Sequence, residues 1–262
     1  MDFITSIILG AVQGLTEFLP ISSSGHLVLA EKILGSKAST GLVFEVMLHF
    51  ATMLSVLIYF RNKIGKLLAS LLPPYTESKM PYIKLAIVII IGTIPAVIIG
   101  LGFEKKVEEA FGSATIVSIM LMVTALILLS TKLARRGNKQ VGYLNGLLIG
   151  IAQSAALMPG ISRSGTTISA GLHLKIDPAE AAEFSFLLSL PAVFGAGVLK
   201  LFDLAEQNAV VSSMGVYLIG ALVAFIVGYL SIAWLMRLIK KGQFFYFGIY
   251  CLAVGIVSLI WL

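Results

Sequence analysis

The residues best equipped for chemistry lie in one short stretch, Glu17-Phe18-Leu19-Pro20-Ile21-Ser22-Ser23-Ser24-Gly25-His26. A carboxylate can act as acid or base or hold a divalent metal, an imidazole can move a proton near neutral pH, and a serine beside it can be activated as a nucleophile. Gln13 lies one helical turn before Glu17 on the same helical face. Polar groups at membrane depth are tolerated only where they line a cavity or are buried in protein, so this stretch predicts a functional site.

A second polar stretch, Ser162-Arg163-Ser164-Gly165-Thr166-Thr167, offers groups that bind anions. The guanidinium of Arg163 suits bidentate binding of phosphate. Backbone N–H groups at the start of a helix after Gly165, together with the hydroxyls, would complete an anion cradle. The two stretches together favour phosphoryl transfer from a diphosphate, with the first stretch reacting and the second holding the anion.

These stretches are embedded in a very apolar chain. It has 262 residues, of which 58% are hydrophobic and 12% charged, and its mean hydropathy is +0.99. Soluble domains need far more charge on their surface, so we predict an all-α polytopic membrane protein. The net charge of +6 comes from Lys and Arg in short loops between apolar runs, which indicates membrane orientation rather than nucleic acid binding. A single cysteine, Cys251, excludes an intramolecular disulfide and a cysteine-rich metal site.

The chain reads as one membrane domain, 1–262, that contains an internal repeat. Identical residues recur 140 positions apart: Gly10 and Gly150, Gln13 and Gln153, Ile21 and Ile161, Ser22 and Ser162, Ser24 and Ser164, Gly25 and Gly165. Repeat 1, 1–140, has a broken apolar region 1–34 and predicted spans 43–60, 83–102 and 114–133. Repeat 2, 141–262, has a broken region 143–174 and predicted spans 183–202, 213–236 and 244–262. Duplicated units with broken helices are typical of inverted-topology membrane proteins.

The positions of Lys and Arg decide how the broken regions lie in the membrane. If both are re-entrant hairpins, most loop Lys and Arg fall on one side, whereas single crossings divide them almost evenly. We therefore predict six transmembrane helices, two re-entrant hairpins and both termini outside. The N-terminal segment, Met1 to Gly10, lacks the basic region of a cleavable signal. Pro20 and Pro159 are expected to end the helices before them, and Gly25 and Gly165 to permit tight turns at the tips.

Two segments, Gln13 to His26 and Pro159 to Thr167, closely resemble the two signature motifs of the bacterial undecaprenyl-diphosphate phosphatases of the bacitracin-resistance type. The likeness covers the whole chain, including its length and its duplicated hairpins. It implies removal of the terminal phosphate from a polyprenyl diphosphate, at a site open to the periplasmic side of the cytoplasmic membrane. It also implies a divalent cation, Mg²⁺ or Ca²⁺. The expected partners are the lipid substrate and membrane lipid, with a homodimer as one assembly to test.

By position, the resemblance carries the family's catalytic glutamate, serine, histidine and arginine onto Glu17, Ser23, His26 and Arg163. Residues expected to contact substrate are Gln13, Ser22, Ser24, Gly25, Ser162, Ser164, Gly165, Thr166 and Thr167. Glu17 is the expected metal ligand. Members with two acids in the first motif carry an acid where this chain has Gln13, which leaves a single carboxylate here.

Structural interpretations stay open beside the functional ones. The serines could cap a helix, and Arg163 could form a structural ion pair with Glu17. Glu45 and His49 form another pair one turn apart, for which we favour structural support over a role at the site. A transporter or flippase for an anion or a polyprenyl phosphate is the alternative function, because inverted repeats with broken helices are common in alternating access. At the positions of repeat 2 that match Glu17 and His26 the chain has Leu157 and Thr166, so the acid and imidazole occur at one tip alone, which favours an enzyme.

Overall fold

The computed structural model describes residues 1–34, 42–206 and 214–261, and these residues form α-helices joined by short turns. The helices are α1 Phe3–Phe18, α2 Ser23–Leu34, α3 Leu42–Tyr59, α4 Arg61–Ser70, α5 Met80–Phe111, α6 Ala114–Ser130, α7 Tyr143–Ala155, α8 Arg163–His173, α9 Pro178–Glu206, α10 Met214–Lys240 and α11 Tyr246–Trp261. Residues 213 and 262, at the edges of two predicted spans, lie outside the described residues. The predicted all-α class is confirmed for the described part of the chain, which has no strand.

Five helical segments of the described chain are long and apolar enough to cross a membrane. They are Leu42–Tyr59, Glu77–Phe103, Ala114–Leu133, Pro178–Phe202 and Met214–Lys240, and they coincide with five of the six predicted spans. The sixth, 244–262, contains the shorter apolar helix α11. Large apolar side chains such as Ile90, Leu126 and Leu230 point outward and are at least 60% exposed. Such an apolar exterior is that of a multi-pass membrane protein.

Each broken region packs along a long helix from the other half of the chain. In the first, α1 lies against α10, and in the second, α7 lies against α5. A Cβ atom on Gly10 would come within 2.3 Å of the Gly220 carbonyl oxygen, and one on Gly150 within 2.2 Å of the Gly92 carbonyl oxygen. Backbones this close exclude any side chain, so these glycines fix the depth at which the hairpins dock.

The backbone reverses at residues other than those predicted. We expected Gly25 and Gly165 to make the tight turns, but both lie in the first turns of α2 and α8. Positive φ angles occur instead at Ser22, with φ of 70°, and at Gly160, with φ of 95°. In the second broken region the helix ends earlier than predicted, because α7 ends at Ala155 and not at the residue before Pro159. The turn between α7 and α8 is therefore longer than the turn between α1 and α2, and its positive φ falls on Gly160 rather than on Ser162.

Serine side chains cap the helix after each turn in the same way. The Gly25 N–H donates to Ser22 Oγ at 3.3 Å, and the Gly165 N–H donates to Ser162 Oγ at 3.0 Å. These hydroxyls satisfy helix N–H groups that have no backbone acceptor. The capping interpretation therefore holds for these two serines.

The two turns meet inside the bundle. Ser164 Oγ donates to the Leu19 carbonyl oxygen at 3.2 Å, which joins hairpin 2, formed by α7 and α8, to hairpin 1, formed by α1 and α2. Thr124 on α6 donates to the Gly160 carbonyl oxygen at 2.8 Å. Phe18 at the end of α1 packs edge-to-face on Phe186 of α9, with ring centroids 5.7 Å apart. This apolar packing beside the polar tips lowers the local dielectric constant, which strengthens the electrostatic interactions that the tips make.

Candidate functional site

A buried carboxylate, Glu17, is the centre of the polar cluster at the tips. Its Oε2 accepts a hydrogen bond from Ser23 Oγ at 2.6 Å and another from Gln13 Nε2 at 3.1 Å. Its Oε1 pairs with the guanidinium of Arg163. The Glu17 side chain is only 6% exposed. Four predicted site residues from both hairpins therefore meet at one carboxylate.

Helix geometry explains how these residues come together. Gln13 and Glu17 lie one turn apart on α1, so their side chains share a face. Ser23 is the first residue of α2, and Arg163 is the first residue of α8. The ends of three helices thus converge, and the N-terminal position of Arg163 adds the positive end of the α8 dipole to its own charge.

Ser23 and Glu17 have the geometry of a nucleophile with its base. The serine O–H points at a carboxylate oxygen over a short hydrogen bond, so the carboxylate can take its proton as the oxygen attacks. Ser23 is half-buried and so stays open to a ligand at the tip. Of its neighbours, Glu17 and not His26 accepts its hydroxyl hydrogen.

Arg163 keeps part of its binding capacity for an anion. In the described residues, Glu17 is the one side chain that accepts a hydrogen bond from its guanidinium. A guanidinium has five N–H donors, so several remain for the oxygens of a phosphate. The Arg163 side chain is 19% exposed. The structural ion pair with Glu17 and an anion-binding role are compatible in this geometry.

A small cavity adjoins the ion pair between α3 and α9. Its volume is about 10 Å³, the room that one water molecule needs. Residues around it include Glu17, Arg163, Thr52, Val56, Ser189 and Val193. A lipid headgroup therefore needs α3 and α9 to separate before it can reach the carboxylate from this side.

His26 lies at the same tip but turns away from the carboxylate. Its Nδ1 is 2.8 Å from the Ser22 carbonyl oxygen, and its Nε2 is 2.9 Å from the hydroxyl of Tyr250 on α11. The imidazole and phenol rings are almost parallel, with an interplanar angle of 9°. Both ring nitrogens are engaged in this arrangement, and neither contacts Ser23.

The predicted phosphate cradle on α8 is largely occupied by its own hydrogen bonds. Ser162 Oγ accepts the Gly165 N–H, and its carbonyl oxygen accepts the Thr166 hydroxyl at 2.8 Å. Thr167 Oγ1 lies 2.6 Å from Ser185 Oγ on α9. These hydroxyls stabilise the first turn of α8. Their predicted contacts with substrate stay a prediction, because each group would first have to exchange its present partner.

Two residues at the site depart from the expectation. For His49 on α3 the sequence favours structural support with Glu45 over a role at the site, but Glu45 pairs with Lys200 at 3.3 Å. The His49 Nδ1 lies 3.3 Å from Gln13 Nε2 and 3.9 Å from Glu17 Oε2. Its signal was a titratable side chain within an apolar span. Tyr250 gave no such signal, because tyrosine is common near membrane surfaces.

The donor set restricts how a divalent cation could bind. No group of three or more His, Cys, Asp or Glu side chains comes together in the described residues. Mg²⁺ is often bound through one or two carboxylates together with substrate phosphates. Glu17 could hold a cation in that way, with a bound diphosphate supplying most of the oxygens. The requirement for Mg²⁺ or Ca²⁺ stays a prediction.

Comparison with known proteins assigns the family. Residues 6–257 match the model of the family described as "Bacitracin resistance protein BacA". Proteins named undecaprenyl-diphosphatase are similar over the whole length. The one from Christiangramia forsetii is 42% identical over 264 residues, covering 99% of this chain and 98% of the relative. That from Korarchaeum cryptofilum is 41% identical over 265 residues, covering 99% of each chain. The chain therefore belongs to the bacitracin resistance protein BacA family.

Proposed function

We propose that this protein removes the terminal phosphate from undecaprenyl diphosphate and releases undecaprenyl phosphate. The observation that carries the proposal is the hydrogen bond from Ser23 to Glu17 beside the partly free guanidinium of Arg163. A base, a nucleophile and an anion-binding group are the parts that phosphoryl transfer needs. The relatives named undecaprenyl-diphosphatase, at about 40% identity over the full length, support the choice of lipid.

The geometry suggests a sequence of two displacements. Ser23 Oγ attacks the terminal phosphorus as Glu17 takes the hydroxyl proton, and the bond from phosphorus to the bridging oxygen breaks. Undecaprenyl phosphate leaves with the proton that Glu17 took, and a phosphoserine remains. Water then gives a proton to the Glu17 carboxylate as its oxygen attacks that phosphorus, and Glu17 passes this proton to Ser23 Oγ as the bond from phosphorus to the serine oxygen breaks, which releases inorganic phosphate and free Ser23. Arg163 binds the non-bridging oxygens, where negative charge is concentrated. Direct attack by a water held on Glu17 is the alternative route.

We also propose that the two broken regions are re-entrant hairpins within an inverted repeat. Their helices have 16, 12, 13 and 11 residues. At about 1.5 Å per residue they are about 17 to 24 Å long, which is less than a hydrocarbon core of roughly 30 Å. α1 and α11 have equal length, so the distribution of Lys and Arg, not length, favours α11 as a crossing helix.

The same charge distribution supports an orientation. With both termini outside, hairpin 1 enters from the external face of the bacterial cytoplasmic membrane, and the diphosphate is met in the outer leaflet. The reaction would return the lipid carrier to cell-wall synthesis and contribute to bacitracin resistance. Labelling of single cysteines near the exposed ends of helices in intact cells tests this orientation, in protein whose native Cys251 is replaced by alanine, with Lys32 on α2 replaced by cysteine for the outer face and Lys240 on α10 for the inner face.

Phosphate release by purified protein tests the activity. We expect the wild-type protein to release inorganic phosphate from undecaprenyl diphosphate, and Arg163→Ala to lower kcat/KM at least about 100-fold, because phosphate-binding charges act in a water-poor site. Arg135→Ala, in the exposed loop after α6, is the matched control and should retain activity. Full activity in Arg163→Ala would overturn the proposed site.

A lipid transporter is the second candidate, favoured by the equivalent docking of α1 on α10 and of α7 on α5. Broken helices that dock in an equivalent way are typical of proteins that alternate between two faces. Movement of labelled polyprenyl phosphate across liposomes without hydrolysis would support this candidate. Phosphate release in detergent, where no transport occurs, would support the enzyme.

A further inference from the structure

We propose that His26 and Tyr250 form a positioning pair that fixes the turn of hairpin 1 and thereby aims Ser23 at Glu17. The inference deepens the proposed function and rests on it for its kinetic consequences. It differs from the sequence expectation, in which His26 activates the serine directly. The contacts of the imidazole, the backbone of Ser22 and the position of α11 carry it.

The hydrogen bonds of His26 define its protonation pattern. A carbonyl oxygen only accepts hydrogen bonds, so the 2.8 Å contact with Ser22 requires a proton on Nδ1. In a neutral ring Nε2 is then an acceptor, and the Tyr250 O–H donates to it across 2.9 Å. The ring is therefore held at both edges, and Tyr250 selects the tautomer that donates to Ser22.

The hydrogen bond from His26 to the Ser22 carbonyl oxygen restrains the backbone of the turn. Ser22 is the non-glycine residue at the turn with a positive φ, 70°, and residues in this region persist only where their surroundings hold them. Its carbonyl oxygen accepts both the His26 backbone N–H, at 3.1 Å, and the imidazole Nδ1–H. Ser23 follows directly along the chain, so the direction of its side chain depends on the conformation that this carbonyl fixes.

Helix α11 contacts the same turn at a second point. Cys251, the neighbour of Tyr250, lies with its Sγ 3.7 Å from the Pro20 carbonyl oxygen. Cys251 thus contacts the turn directly, and the adjacent Tyr250 contacts it through His26 in the first helical turn of α2. Tyr250 is 44% exposed, so its hydroxyl makes this contact at the edge of the protein, whereas Cys251 is buried. The last helix of the chain therefore positions the first motif.

Removing one hydroxyl tests the pair with little change in shape. Tyr250→Phe keeps the ring and its packing but loses the donor to Nε2. We expect kcat to fall about 3- to 10-fold with KM unchanged, the effect of losing one hydrogen bond. Tyr246→Phe, on the exposed surface of the same helix, is the matched control and should retain the wild-type kcat.

Substitutions at His26 separate positioning from proton transfer. Asn can place an N–H donor near the Nδ1 position, so His26→Asn should retain the bond to Ser22 and most of the activity, whereas His26→Leu should lose it. Tyr250→Phe should cause no further loss in His26→Asn protein, because the hydroxyl has no ring nitrogen to meet. Equal inactivity of the Asn and Leu variants, with both folded by thermal melting, would overturn the positioning role.

A spectroscopic measurement keeps this inference separate from the activity. In protein labelled with ¹⁵N-histidine, His26 should give the signals of a ring protonated at Nδ1, and Tyr250→Phe should shift the Nε2 signal while Tyr246→Phe does not. A proton on Nε2 alone, or no shift in Tyr250→Phe, would overturn the pair whatever the activity. Wild-type protein that releases no phosphate would instead refute the proposed function and leave this measurement valid.

Discussion

The buried ion pair between Glu17 and Arg163 should show strong energetic coupling, which a double-mutant cycle can measure. The variants are Glu17→Gln, Arg163→Gln and the combination. The side chains of Glu17 and Arg163 are 6% and 19% exposed. Removing one partner from a buried pair leaves an uncompensated charge and costs about 3 to 5 kcal/mol.

The contacts at the site refine these magnitudes. In Arg163→Gln, Glu17 keeps its hydrogen bonds from Ser23 and Gln13, so we expect a loss of about 3 kcal/mol, the low end of that range. The double variant has no buried charge at either position, so it should be more stable than the sum of the single losses predicts. We expect a coupling energy of about 2 kcal/mol.

Reversible unfolding in mixed detergent micelles supplies the free energies. The pair between Glu45 and Lys200 is the matched control, since its side chains are 35% and 42% exposed. Exposed pairs contribute about 0.2 to 1 kcal/mol, so the control cycle should give a much smaller coupling. Additive losses at Glu17 and Arg163, or equal coupling in both cycles, would refute the assignment of a buried, charged pair.

Three further predictions concern the site and the docking of the hairpins. His49→Leu should lower kcat about 3- to 10-fold, because it loses the hydrogen bond from Gln13. His49→Asn should retain most of the rate, because its Oδ1 can accept that hydrogen bond as Nδ1 does. His173→Asn, at the end of α8, is the control, and equal losses in the Leu and Asn variants would contradict the hydrogen-bond role. Gly150→Ala should destabilise the fold by about 1 to 3 kcal/mol because its Cβ would meet the Gly92 backbone, and Gly65→Ala, which has open space, should not; equal unfolding midpoints would contradict the close packing. Chelation with EDTA should abolish phosphate release and added Mg²⁺ or Ca²⁺ restore it, and unchanged activity in EDTA would remove the cation from the proposal.

Much of the fold could be predicted from the order of apolar and polar residues along the sequence. Long apolar runs predicted the five spans because a helix must be about 20 residues long and apolar to cross lipid. The likeness between the stretches around Ser22 and Ser162 predicted two equivalent turns, and both serines cap the helix that follows. The meeting of Glu17 with Arg163 also followed, because two broken helices in one bundle bring their polar tips together.

The remaining details depend on contacts that spacing does not contain. The reversal occurs at Ser22 rather than Gly25, and Gly25 instead packs closely against the second tip, where its Cβ would lie 3.1 Å from the Gly160 Cα. His26 was predicted to face a serine because the two are close in the sequence, yet it meets Tyr250, 224 positions away. Side-chain directions at a helix start depend on the turn before it, and that conformation is set by tertiary packing.

The most direct test of the central claim, that Glu17 activates Ser23 to attack the terminal phosphorus, is trapping of the covalent intermediate. Undecaprenyl diphosphate labelled with ³²P at its terminal phosphate is mixed with excess enzyme, quenched in acid after brief reaction, and the label is located by proteolysis and mass spectrometry. We predict label on Ser23 in wild-type protein, and neither label nor phosphate release in Ser23→Ala protein. Rapid phosphate release with no label on Ser23, together with an active Ser23→Ala variant, would contradict the claim.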